Sequence, residues 1–212
     1  SRGLDLAAEY IAAQFRRAGL EPAGDDGYFQ TTTYAAAAPK KASGAGERVT
    51  KAAAAAVVRN VIGVVRGGDP ELKDTYVLVS AHYDHKGMLP AGEGDRILNG
   101  ANDDASGTAC VMELASALAH LPERPKRSVV FLAFFGEERG MLGSRYYARN
   151  AVFPLARTVA AINLEHLGRT DDLDWDRTGM FSVTGMAFST LAATLVAGGD
   201  AEGLKAYNDP AT

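Results

Sequence analysis

The sequence predicts an α/β fold: a three-layer sandwich whose central sheet is mixed but mostly parallel, with helices on both faces. Two observations point there. Four apolar, β-branched runs at 57–65, 76–81, 128–135 and 159–164 read as strands. They are near-continuously apolar, as central strands covered on both faces are. Helical patterns alternate with the later runs, and strand–helix alternation builds sandwiches of this kind.

In chain order, Leu4, Ala7, Ala8, Ile11 and Phe15 recur at helical spacing, and Gly19 supplies a stop. Residues 28–34, rich in Thr and aromatics, read as a strand. Residues 35–56 mix alanine runs with Pro39, Gly44, Gly46 and lysines, and read as a mobile loop or hairpin tip. The alanines before Val57 have helical propensity, but a loop or short strand fits better beside so β-rich a segment. Only a loop separates 57–65 from 76–81, so this opening pair can run antiparallel and make the sheet mixed. A helix is predicted over 108–121, with Val111, Leu114, Ala115 and Leu118 on one face, and others over 143–150 and 190–197. Residues 200–212 are polar and small, with too few large apolar side chains for another buried strand.

Length and composition set the bounds. The 212 residues suit a single domain, 1–212, and 47% hydrophobic with 23% charged residues excludes a collagen, a coiled coil or a disordered chain. A net charge of −4 gives a nucleic-acid partner no electrostatic support. No apolar run approaches the ~20 residues that span a bilayer. The lone Cys110 cannot form an intrachain disulfide and suits either an exported or a cytosolic protein. The chain starts at Ser1 without a signal-peptide pattern, which reads as processed or trimmed.

In open α/β sheets ligands gather beyond the carboxyl ends of the strands. The second apolar run ends Ser80-Ala81-His82-Tyr83-Asp84-His85, the third Phe135-Gly136-Glu137-Glu138, and the fourth Asn163-Leu164-Glu165-His166. Asn102-Asp103-Asp104-Ala105-Ser106-Gly107 precedes a helix. Singly, each has an ordinary reading. His-x-Asp is commonly a hydrogen-bonded pair, and Asp103-Asp104 before a helix is commonly a cap. Glu137-Glu138 beside Arg139 is commonly a solvated cluster, and Glu165 a salt-bridge partner. Gathered at one sheet edge, however, these carboxylates would repel each other and lose hydration, and cations would offset that cost. Histidine nitrogens with carboxylate oxygens suit zinc, with manganese or cobalt as competitors.

The order and wording of these segments resemble peptidase family M28, the zinc peptidases that include bacterial secreted aminopeptidases. The resemblance rests on His82-x-Asp84, Asn102-Asp103-Asp104-Ala105-Ser106-Gly107, Gly136-Glu137-Glu138-Arg139-Gly140-Met141-Leu142-Gly143-Ser144 and Asn163-Leu164-Glu165, and it runs from about Leu4 to Gly168. It implies a zinc-exopeptidase-like fold, a peptide substrate and two zinc ions. His82 resembles a ligand of the first zinc, and Asp84 the carboxylate that orients it and raises its basicity. Asp103 resembles the carboxylate bridging both metals, with a cis peptide bond to Asp104. Glu137 resembles the general base and acid, and Glu138 a ligand of the second zinc. Glu165 stands where relatives usually carry an Asp that ligates the first zinc. By the same resemblance the protein is secreted or periplasmic.

The family pattern needs one more ligand, a late histidine completing the second zinc site, and none follows His166. This reads as a chain without the C-terminal part of the domain, with the second site weak or empty. His85 is expected at a surface or structural position, or as a rim contact. His166 is expected to pack away from Glu165 if the strand continues. His120 is expected at a helix end, Cys110 inside a helix and Ser106 as a cap. Asp171-Asp172-Leu173-Asp174-Trp175-Asp176 reads as a solvated acidic turn, with calcium binding an alternative, and Trp175, Met180 and Phe181 as pocket or packing residues. The leading expectation is a zinc-dependent exopeptidase, an aminopeptidase. The alternatives are a glutaminyl-cyclase-like one-zinc acyltransferase and a non-catalytic binding domain of the same fold.

Overall fold

The first helix, α1 (Arg2–Arg17), forms where apolar residues return every three or four positions. The Ser1 side chain accepts from the Leu4 N–H at its start, Asp5 lies in its first turn and Arg16 and Arg17 in its last, which suits the helix dipole. Its buried stripe is Ala8, Ile11, Ala12 and Phe15. The computed structural model describes residues 1–35, 55–89, 91–169 and 179–207. These fall into two compact units, Ser1–His166 and Leu167–Thr212. The loop expected over 35–56 lies almost wholly outside the described residues.

The strands of the first unit are β1 (Glu21–Pro22), β2 (Phe29–Tyr34), β3 (Ala56–Val65), β4 (Tyr76–His82), β5 (Gly87–Met88), β6 (Ile97–Leu98), β7 (Ser128–Phe134) and β8 (Thr158–Asn163). Its remaining helices are α2 (Ser106–Ala119) and α3 (Leu142–Arg149). Among the described residues β5 and β6 pair only with each other. The other six form one sheet in the order β1-β3-β7-β4-β8, with β2 also on β3. β3 is antiparallel to β1, β2 and β7, while β7, β4 and β8 are parallel. Five of the six strands therefore run one way, and the sheet is mixed, with three antiparallel pairings around β3 and two parallel ones at β4. The opening pair, β3 and β4, run in opposite directions but are not neighbours, because β7 lies between them. Apart from Ser128, β7 is wholly apolar, so it fits where both faces are covered. Phe131 and Leu132 are completely buried on opposite faces, each contributing about 1.5–3 kcal/mol.

Alternate residues supply two cores. Val61, Val79, Phe131 and Ala133 meet Ile11 and Phe15 of α1 and Val111 and Ala115 of α2. Ile62, Val64, Leu78, Val130 and Leu132 meet Tyr147 of α3 and Phe153. Three layers result. β8 departs from expectation. It alternates half-buried with exposed residues, and Val159 is 54% exposed. Among the described residues it is an edge strand, so its outward side chains lack the second cover that its apolar sequence led one to expect.

The second unit holds β9 (Met180–Ser182), α4 (Leu191–Ala201) and β10 (Lys205–Tyr207). β9 and β10 pair in parallel, so the tail does carry a strand, with Lys205 exposed. Phe181 lies against Gly199 of α4, and Met180 is largely exposed. The acidic turn with Trp175 lies outside the described residues. No described helix is long and apolar enough to cross a membrane.

Candidate functional site

Parallel pairing brings the carboxyl ends of β7, β4 and β8 to one edge of the sheet, and the polar segments gather there. His82 closes β4 and is 3% exposed. Its Nδ1 lies 3.0 Å from the main-chain oxygen of Asp84 and 3.7 Å from the Asp84 carboxylate. The nearer contact holds the ring, leaving Nε2 to face Asp103 Oδ1 at 3.1 Å. The Asp84 carboxylate instead accepts from the Glu137 N–H at 3.0 Å. It thereby ties the turn after β7 to the end of β4.

Asp103 stands between two sets of donors. Its Oδ1 faces His82 and, at 3.9 Å, Nε2 of His166, while its Oδ2 lies 3.9 Å from His85 Nδ1. The Asp103–Asp104 peptide bond is cis. Glu138 Oε1 lies 2.7 Å from His85 Nδ1, and Lys86 Nζ is 3.6 Å from Glu138 Oε2. One donor atom each from His85, Asp103 and Glu138 falls within 4.8 Å of the others. Among the described residues, His85 Nδ1 and Glu138 Oε1 are buried without a hydrogen-bond partner. Orphaned donors of this kind and spacing fit a zinc-like cation. Of the positions expected for it, His85 takes not the surface but a half-buried one on the rim of a cleft. The only sequence signal was its place one residue after Asp84.

Glu137 and Glu138 sit on a short turn opened by Gly136, whose φ is +68°, and they diverge. The Glu137 carboxylate lies 4.0 Å from His82 Nε2 and is 37% exposed, beside the cluster rather than inside it. Glu165 is exposed, and its Oε1 accepts from Asn163 Nδ2 at 2.8 Å. It borders a hollow of about 270 Å3 together with His82, Glu137, Ser80 and Met141. A larger cleft of about 820 Å3 reaches Asp84 and His85, and Tyr34, Val58, Tyr83, Met88 and Ile97 give it mainly apolar walls.

Two expectations are corrected. His166 does not continue β8: its φ of +56° turns the chain, so the ring comes round toward Asp103 and Asn102. Ser106 is not the cap of α2 but its first residue: Ala105 holds the N-cap position without a side-chain hydrogen bond, and the Ser106 hydroxyl donates to the Asn102 carbonyl. The neighbouring Asp104 takes the backbone N–H groups. It is 1% exposed and accepts from His82, Gly107 and His166 at 3.3, 3.1 and 3.4 Å. One carboxylate therefore joins β4, α2 and the chain after β8. His120 lies at the end of α2, its Nδ1 2.7 Å from the Ser116 carbonyl, and Cys110 is a half-buried free thiol in that helix.

Electrostatics follow from this packing. Burial pulls the His82 pKa down, but Asp84 and the charge of Asp104 outweigh it and raise the value to about 9. Burial pushes Asp104 up to about 6 against the pull of His82 and its backbone donors. A second polar knot holds the Glu137–Glu138 turn. Asn60, fully buried in β3, donates to Gln30 and to the Gly143 carbonyl, and accepts from the Phe135 N–H.

Fold and centre together define a class: an α/β sandwich with histidines and carboxylates at the carboxyl ends of its parallel strands. A Zn-dependent exopeptidase from Parabacteroides distasonis has this fold, with a TM-score of 0.61 at 18% identity over 98% of this chain and 69% of that one. The family model for peptidase family M28 matches residues 60–199, and the chain belongs to that family. A "Probable zinc metalloprotease" of Pyrenophora teres f. teres is 37% identical over 114 residues, 53% of this chain and 23% of its own length. Aminopeptidase YwaD of Bacillus subtilis is 33% identical over 111 residues, 52% of this chain and 22% of its own. The matches with these curated relatives thus span under a quarter of their lengths.

Proposed function

We propose that this chain carries the centre of a zinc-dependent exopeptidase, an aminopeptidase, that cleaves the N-terminal peptide bond of peptides. The observation that carries the reading is Asp103, whose two carboxylate oxygens face separate donor sets, with Glu137 close by but outside both. His82, Asp103 and Glu165 would hold one zinc, and Asp103 and Glu138 take part in holding the other. Bound there, zinc would acidify water and polarise the scissile carbonyl.

The remaining work falls to the chain itself. Asp84 fixes both the His82 ring, through its carbonyl, and the Glu137 backbone, through its carboxylate. Glu137 is exposed enough to meet substrate, and it takes the proton from the attacking water and returns it to the leaving amine. The apolar cleft beside Asp84 and His85 receives a peptide side chain and excludes water from it.

The test is hydrolysis of aminoacyl anilides by the chain, with and without a chelator. Activity is expected to vanish on chelation and to return with zinc. Glu137→Gln should keep its metal and lose about 10²–10⁴-fold in turnover. Full turnover in that variant would remove Glu137 as the base.

A further inference from the structure

We infer that His85 is itself a metal ligand, donating through Nδ1 to a cation held with Asp103 Oδ2 and Glu138. The inference rests on the metal-centre reading above and adds to it a donor from the segment after β4. Four observations lead to it. Nδ1 of His85 is 2.7 Å from Glu138 Oε1 and 3.9 Å from Asp103 Oδ2. Both His85 Nδ1 and Glu138 Oε1 are buried with no hydrogen bond to satisfy them among the described residues, which is costly unless a cation shares them. The side chains are 18% and 12% exposed, so water reaches them poorly.

The ring is also held in place. Gly100 has a φ of +65°, and a Cβ there would lie 2.7 Å from His85 Cβ and Cγ. The turn that delivers Asp103 therefore rests directly on the imidazole. One nitrogen and two carboxylates make a three-donor set, the number of protein ligands that catalytic zinc sites use. Lys86 Nζ, 3.6 Å from the far oxygen of Glu138, sits at the rim and holds that carboxylate from outside.

The competing role is a ring that merely orients Glu138. Partners that only orient a ligand cost about 10–100-fold in metal affinity when removed, whereas loss of a ligand costs more. The experiment uses the purified 212-residue chain, stripped with chelator and titrated with Co2+ by equilibrium dialysis and visible absorption. Glu138→Gln marks the equivalent bound at this position. His85→Ala should lose the same equivalent, with affinity falling more than about 100-fold, beyond the range of a merely orienting partner. His85→Phe, which keeps the ring against Gly100 without a donor, should do the same and guards against a folding defect in the alanine variant. Circular dichroism under chelator checks the fold of both.

If His85→Ala and His85→Phe retain the equivalent that Glu138→Gln loses, or weaken it by 100-fold or less, the inference is overturned. It is also overturned if Glu138→Gln loses no equivalent. Uptake needs no turnover, so loss of this inference leaves the peptidase reading standing. A wild-type chain that takes up no Co2+ would sink both.

Discussion

Asp104 shows how much one side chain can hold. Its carboxylate accepts backbone N–H groups from three segments that meet at the sheet edge. The sequence presents it as half of an acidic pair before a helix, and capping is part of its role, since it takes the Gly107 N–H. Its reach to His82 and His166 depends on residues 22 and 62 positions away. Asp104→Ala is expected to cost about 3 kcal/mol, because buried donors are left unpaired. Urea unfolding measures this, and a cost near zero would mean that water replaces the carboxylate. His85 was hidden for a similar reason. Nothing local distinguishes a histidine after His-x-Asp as a donor; the Gly100 turn, folded from elsewhere, brings Asp103 to it.

At the scale of elements, boundaries were nearly legible. The helix expected at 143–150 is α3 (Leu142–Arg149), and the strand expected at 128–135 is β7 (Ser128–Phe134). The glycines of the Gly136–Ser144 segment were legible as a motif but not as physics. Gly143 has no room: a Cβ would lie 2.4 Å from Asn60 Oδ1 and 2.6 Å from the Phe135 carbonyl. That contact seats α3 on the sheet and sets the turn carrying Glu137 and Glu138. Alanine gains about 1 kcal/mol of helix propensity, but overpacking against backbone costs about 1–3 kcal/mol. Gly143→Ala should therefore lower stability in a denaturant titration, with equal or higher stability as the contrary result. β8 taught the opposite lesson. Its apolar run resembles a doubly covered strand, yet burial depends on what lies beside it, which no local pattern contains.

For the whole first unit, the centre couples folding to pH. The His82 pKa rises from 6.5 to about 9 on folding, so its contribution to stability is complete below 6.5 and is lost as the pH rises through about 9. Asp104, raised from 3.8 to about 6, has the same sign, its contribution fading as the pH climbs through that lower window. With chelator present, the urea midpoint should fall between pH 6.5 and 9, and His82→Asn should flatten the fall. A midpoint constant over that range in the unsubstituted chain would refute the coupling.

The sequence alone determined the longer helices and strands and the ligand-type side chains at the strand ends. Helical and strand periods are local, and so are motifs such as Gly136-Glu137-Glu138 that carry ligand-type side chains. Only the tertiary structure decided that β7 separates β3 from β4, that His166 turns back, and that His85 joins Asp103 and Glu138. Those outcomes rest on contacts between distant residues. Their energies depend on burial and on the partner each polar atom finds, and neither exists until the chain has folded.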